Sequence, residues 1–133
     1  QDRGGAIHPG LAAGQSEGGT LQAVGYGLFE ELVWERGRVV NNRLTNYIIP
    51  TSLDAPEMET IIVEKEYPHG PFGAKGVGEL PMDGAAPAIA AAIFNATGAF
   101  MRDIPITPER LMMTIENMSA PRAPREIDNS DQQ

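Results

Sequence analysis

Cysteine is missing from the 133 residues, and that one absence removes disulfides, thiolate zinc sites, iron–sulfur ligation and cysteine nucleophiles. Histidine is nearly as scarce, with only His8 and His69 available as soft ligands. Basic residues are also few: 10 Lys and Arg stand against 18 Asp and Glu, a formal net charge of -8. Such a surface does not neutralise phosphates, so nucleic acid is not an expected partner. No apolar run approaches the roughly 20 residues that cross a bilayer, and no basic segment leads into an apolar core at the start. The chain therefore reads as cytoplasmic, with no membrane partner.

What remains is globular material. Hydrophobic residues make up 41% of the chain, and its length fits one domain with a core. Because it opens on Gln1 within ordered-looking sequence, it reads as a processed or excised piece of something larger. From Leu11 to about Glu35, apolar residues recur at helical spacing, with Leu21, Val24, Leu28 and Leu32 on one stripe. Glycines interrupt this helix, and each costs roughly 1 kcal/mol relative to alanine. At 100° per residue, Gly14, Gly18 and Gly25 fall close together, marking a face that another backbone or a ligand can approach. Gln15 and Gln22 flank it.

"WERGRVVNN" has the pattern of a hairpin turning through Gly37, and "METIIVEKE" predicts a strand from about Glu59 to Lys65. Asp83 is positioned to cap a helix over Gly84 to Thr97, stopped by Gly98. "TPER" signals a last helix, capped by Thr107 and begun by Pro108, that runs to about Met118. Residues 119–133 hold almost no apolar surface and are expected to be disordered.

The stretch "GPFGAKGVGEL", Gly70 to Leu80, gathers Lys75 and Glu79 among glycines. Its spacing fits neither a Walker loop nor a dinucleotide fingerprint. Leu80, Pro81 and Met82 follow Glu79, predicting a rigid apolar setting that suits a general base. Lys75 is open to three roles: ion-pair partner, anion contact or solvated side chain. Glu79 alone is equally compatible with a structural role, since catalysis needs several convergent groups.

Several separated motifs narrow these choices. "GQSEGG" with "QAVGYGLFEE", then "LTNYIIPTSLDAPE", then "GAKGVGE" with "PAIAAAIFNATG" together resemble the C-terminal part of the molybdenum-binding subunit of the xanthine dehydrogenase and aldehyde oxidase family. The resemblance runs from about Asp2 to Met118. It implies an α+β portion of a molybdenum-cofactor-binding domain, residues 1–118, with helices packed on a small mixed sheet. It also implies a molybdenum hydroxylase that adds water-derived oxygen to an aldehyde or a purine-like N-heterocycle. Glu79 matches the family's catalytic base and Gln15 a contact to the molybdopterin, while Lys75, Gly76 and Val77 lie in the loop passing the cofactor. No protein metal ligand is implied, because the pterin's dithiolene holds the molybdenum.

The pterin is expected in its plain or cytosine dinucleotide form. The 2Fe-2S and FAD centres, and the rest of the molybdenum-binding subunit, are expected on other domains or subunits. The chain departs from the pattern in having Leu80 before Pro81, where two prolines are common, and Asp83 where an apolar residue is frequent. It also lacks the earlier half of the cofactor domain, so it is not expected to turn over alone. The alternatives are a noncatalytic acidic interaction module and an inactive paralogue fragment.

Overall fold

Proline placement starts two of the three helices. The structure, a computed structural model, describes residues 2–119. Helix α1 spans Pro9–Leu28. Pro9 stands in its first turn, where a missing N–H costs nothing, and His8 caps it, its Nδ1 accepting from the Leu11 N–H at 3.1 Å. The helix ends at Leu28 and not at Glu35. The Gly25 carbonyl accepts from both Phe29 (2.8 Å) and Glu30 (2.9 Å), closing the last turn. Beyond it, side chains hold the chain elsewhere: Glu30 accepts from the Tyr47 hydroxyl at 2.5 Å, and Glu31 pairs with Arg110 at 2.6 Å.

The expected hairpin follows. Strands β1 (Trp34–Glu35) and β2 (Arg38–Val39) pair antiparallel, Trp34 opposite Val39. Arg36 and Gly37 turn between them with φ of 48° and 77°. Two consecutive positive φ values are what a tight right-twisted hairpin demands. The strand expected at Glu59 to Lys65 does not form. It is reduced to one parallel bridge, Val63 to Asp2, while Gly4 makes an antiparallel bridge to Ala74. Residues 2–4 are the pairing partner for both segments, too short a stretch to sustain a ladder on either side.

Helix α2 is Ala85–Thr97, closed by Gly98 at φ 75°. Its N-cap is Gly84, with no side-chain cap, and not Asp83. Asp83 belongs to the preceding 3-10 turn, Leu80–Met82, and has helical ψ of -23°, whereas a capping side chain needs extended backbone. Helix α3, Pro108–Ser119, has the expected cap: Thr107 Oγ1 accepts from the Arg110 N–H at 3.3 Å. The tail expected to be disordered lies, beyond Ser119, outside the described residues.

The helices meet through small residues. A Cβ on Gly27 would sit 3.2 Å from the Ala86 Cβ, and one on Gly19 would sit 2.9 Å from the Pro81 Cβ. The row of α1 that packs on Pro81 and Ala86 is therefore Gly19, Ala23 and Gly27, one helical turn apart. Of the row expected for that task, Gly14 and Gly18 meet nothing within 4 Å, whereas a Cβ on Gly25 would overlap the Glu30 carboxylate and sit 3.0 Å from the Pro50 Cδ. Ala23, Ala86, Ala99 and Ile106 form the buried apolar core, and among the described residues no large side chain is fully buried.

Candidate functional site

The site is built where residues 2–8, the start of α1 and the Gly70–Leu80 loop come together. Backbone contacts clamp the loop: the Gly73 carbonyl accepts from Gly5 (2.9 Å) and Tyr67 (3.0 Å), and the Arg3 carbonyl accepts from Lys75 (2.9 Å). The approach is so close that a Cβ on Gly4, itself at φ 65°, would fall 2.1 Å from the Gly73 oxygen. Gly4→Ala is expected to destabilise the protein by roughly 2 kcal/mol or more, since left-handed backbone alone costs a β-carbon residue about 1–3 kcal/mol. An unchanged melting temperature would contradict this.

Three of the residues singled out in the sequence surround one cavity of about 240 Å³, lined among others by Arg3, His8, Gln15, Lys75 and Val77. Gln15 is exposed on α1, its amide free of protein partners among the described residues. Gly76 is exposed beside the cavity and does not line it; a Cβ there or on Gly78 meets nothing within 4 Å.

Lys75 takes the first of its three open roles. Its Nζ lies 2.5 Å from Asp2 Oδ2, with the Tyr67 ring centroid 5.9 Å away. Both partners are about one third exposed. The Asp2 carboxyl is held below its ordinary value of 3.8, chiefly by the hydrogen bond from Lys75 and next by the Gly4 N–H. A carboxylate with a depressed value stabilises the fold above its ordinary value, and that contribution fades as pH falls through the depressed one. The pair should therefore contribute fully at neutral pH, begin to weaken as pH falls past 3.8, and be lost only below the depressed value of Asp2. In urea unfolding of the protein, Asp2→Asn should be less stable than wild type at neutral pH, with the difference closing in strong acid. A difference independent of pH would count against the pair.

Glu79 heads the Leu80–Met82 turn, its backbone carbonyl accepting from Met82 at 3.0 Å. The turn is fixed on α1 by Pro81 over Gly19 and by the Tyr26 hydroxyl, which donates to the Met82 carbonyl at 2.8 Å. The apolar enclosure expected around Glu79 is not formed by the described residues: its side chain is exposed, and Leu80 is 41% exposed. Pro81 and Met82 are used in docking the turn onto the helix instead.

Two contributors were not placed at this site by the sequence reading, which named His8 only as a possible soft ligand and did not name Arg3. Arg3 is buried between the loop and α1, and His8 lines the cavity while capping the helix. The residue before a helix-starting proline was a readable signal for His8; nothing local marks Arg3. Among the described residues, no three His, Cys, Asp or Glu side chains converge to hold a metal ion, and no helix is long and apolar enough to cross a membrane.

Comparison with known proteins gives consistent matches. Residues 1–56 match the family model described as "Molybdopterin cofactor-binding domain". The chain is 37% identical over 119 residues to the "Probable hypoxanthine oxidase XdhD" of Escherichia coli (strain K12), covering 88% of this chain and 12% of that protein. It is 39% identical over 112 residues to the "Putative xanthine dehydrogenase molybdenum-binding subunit XdhA" of the same strain, covering 83% of this chain and 15% of the relative. The crystal structure of quinoline 2-oxidoreductase from Pseudomonas putida 86 superposes with a TM-score of 0.79 at 37% identity, over 86% of this chain and 15% of that one. The chain thus spans about a seventh or less of the proteins it matches.

Proposed function

We propose, for a chain that belongs to the molybdopterin cofactor-binding domain family and is part of a molybdenum hydroxylase of the xanthine dehydrogenase and aldehyde oxidoreductase kind, that it forms one wall of the active site. In this reading Glu79 is the general base and Gln15 contacts the cofactor. The observation that carries it is the convergence of α1 and the Gly70–Leu80 loop, with Gln15, Lys75 and Val77 on one cavity and the turn of Glu79 seated on the same helix.

The residues present fit such a group. The exposed Gln15 amide offers both donors and an acceptor, and Gly76 and Gly78 leave backbone open to a flat ligand. When bound, the molybdenum–molybdopterin group supplies the two-electron oxidation by which an aldehyde or N-heterocycle is hydroxylated with oxygen from water. The chain's own part is to orient and to move a proton: Gln15 fixes the cofactor edge, and the Glu79 carboxylate receives the proton released as oxygen attacks the substrate. Lys75, held by Asp2, sets the loop's course past the cofactor and does not act as a free cation.

The remainder of the subunit covers the exposed side of Glu79 and supplies the other substrate contacts. Iron–sulfur and flavin centres on further domains or subunits take the electrons, and the assembly works in the cytoplasm. Purified from its host with its co-purifying chains, the polypeptide should bring molybdenum and a pterin fluorophore in equal amount. A folded complex lacking both would sink the proposal.

A further inference from the structure

Arg3 is a buried cation that forms no ion pair among the described residues. Its side chain is 7% exposed, and its guanidinium donates to the Ala12 carbonyl at 2.7 Å and to the Ser16 hydroxyl, both neutral acceptors. The ion pairs among the described residues are Lys75 with Asp2 and Arg110 with Glu31; neither includes Arg3. A guanidinium carries five N–H donors, and a buried cation satisfied only by neutral groups is costly. Among the described residues no fully buried side-chain nitrogen lacks a partner altogether, and the two acceptors of Arg3 leave most of its five donors without a protein partner. Arg3 lines two cavities, the one shared with Gln15 and Lys75 and a second of about 370 Å³ walled by Ser16, Thr60, Leu80 and Pro81.

We propose that Arg3 receives an oxyanion in this second cavity, a carboxylate carried by the substrate. The position supports a substrate over a structural ion, because Leu80 and Pro81 in the cavity wall directly follow Glu79. The volume suits a molecule of about one ring. The charge state follows from the rim, where Glu17 and Glu59 also line the cavity. Two carboxylates penalise a phosphate dianion more than a singly charged carboxylate, and a planar carboxylate matches the two-pronged guanidinium. The substrate class implied is an aromatic or heteroaromatic ring bearing an acid group. That last step rests on the reading of Glu79 as the base; oxyanion binding by Arg3 does not.

Benzoate and benzamide, alike in ring and shape but not in charge, test this on the intact complex containing the chain. Calorimetry should show benzoate binding roughly tenfold or more tighter than benzamide, as expected for a charge-assisted pair. A structure of the benzoate complex should place the carboxylate within hydrogen-bond reach of Arg3. Arg3→Met should erase the preference, and Arg3→Lys should retain part of it. Equal affinities in the wild-type complex overturn the proposal without any variant having to fold. So does a wild-type structure in which an Asp or Glu from elsewhere in the subunit, or a cofactor phosphate, already occupies Arg3. A preference that survives in folded Arg3→Met places the anion elsewhere and overturns it as well. Glu79→Gln should keep the benzoate preference while losing turnover; a Glu79→Gln complex that still turns over refutes the base and leaves the Arg3 measurement standing by itself.

Discussion

Glu79→Gln in the assembled enzyme is expected to lower turnover by about a hundredfold or more, the range in which a positioned general base contributes, with molybdenum and pterin content unchanged. The structure gives reason to expect a purely chemical loss. Glu79 holds its turn through its backbone carbonyl, which Met82 reaches at 3.0 Å, and its side chain makes no hydrogen bond among the described residues. An amide of the same shape keeps that turn and removes only the ability to take a proton. The measurement is kcat beside metal and pterin analysis of the same preparation. Turnover within a few-fold of wild type at full cofactor loading would remove Glu79 from the mechanism, while parallel loss of cofactor and turnover would make it a binding residue.

The second large effect concerns the chain by itself. Leu53 is 95% exposed, Phe72 90%, Leu44 76% and Ile61 75%. Full burial of such side chains is worth on the order of 1.5–3 kcal/mol each, so these four approach the whole stability of a typical domain, about 5–15 kcal/mol. Expressed alone, the polypeptide should self-associate and bind a hydrophobic dye strongly, because exposed apolar surface of this extent seeks a partner. Co-expressed with the remainder of its subunit, it should become monodisperse and lose the dye signal. Size-exclusion chromatography with light scattering decides the matter. A monomer that melts cooperatively without binding dye would instead favour a self-sufficient interaction module.

Legibility from sequence followed the range of the interaction. Where a few neighbouring residues fix the backbone, the reading was mostly sound: Thr107 and Pro108 start α3, Gly98 stops α2 and the hairpin turns through Gly37, while the cap expected at Asp83 gave way to the Leu80–Met82 turn before it. Where distant groups decide, it was not. The alternation of Glu59 to Lys65 is genuine, yet it became one bridge because only residues 2–4 lie alongside. Helical periodicity ran past Leu28, but Tyr47 and Arg110 draw Glu30 and Glu31 out of the helix. The glycine-rich face was correctly read as a place of close approach at Gly25, which Glu30 and Pro50 approach, but not at Gly14 and Gly18; the contact with Pro81 and Ala86 is made by Gly19 and Gly27. At the candidate site, the family resemblance singled out Gln15, Lys75 and Val77, and these three line one cavity. Arg3 escaped notice because its meaning lies in what surrounds it, and no local pattern encodes an absent counter-charge.

The seating of the Leu80–Met82 turn on α1 has a mechanical corollary. Gln15 projects from that helix, and Glu79 begins a turn fastened to it at Gly19 and Tyr26. The two residues are thus referenced to a single ruler. If α1 slides or tilts against the rest of the subunit, both are carried in the same direction, and the spacing between amide and carboxylate is conserved. Such play changes how the pair meets whatever lies across the cavity, so alignment errors arise at the joint between this segment and its neighbours and not within the pair.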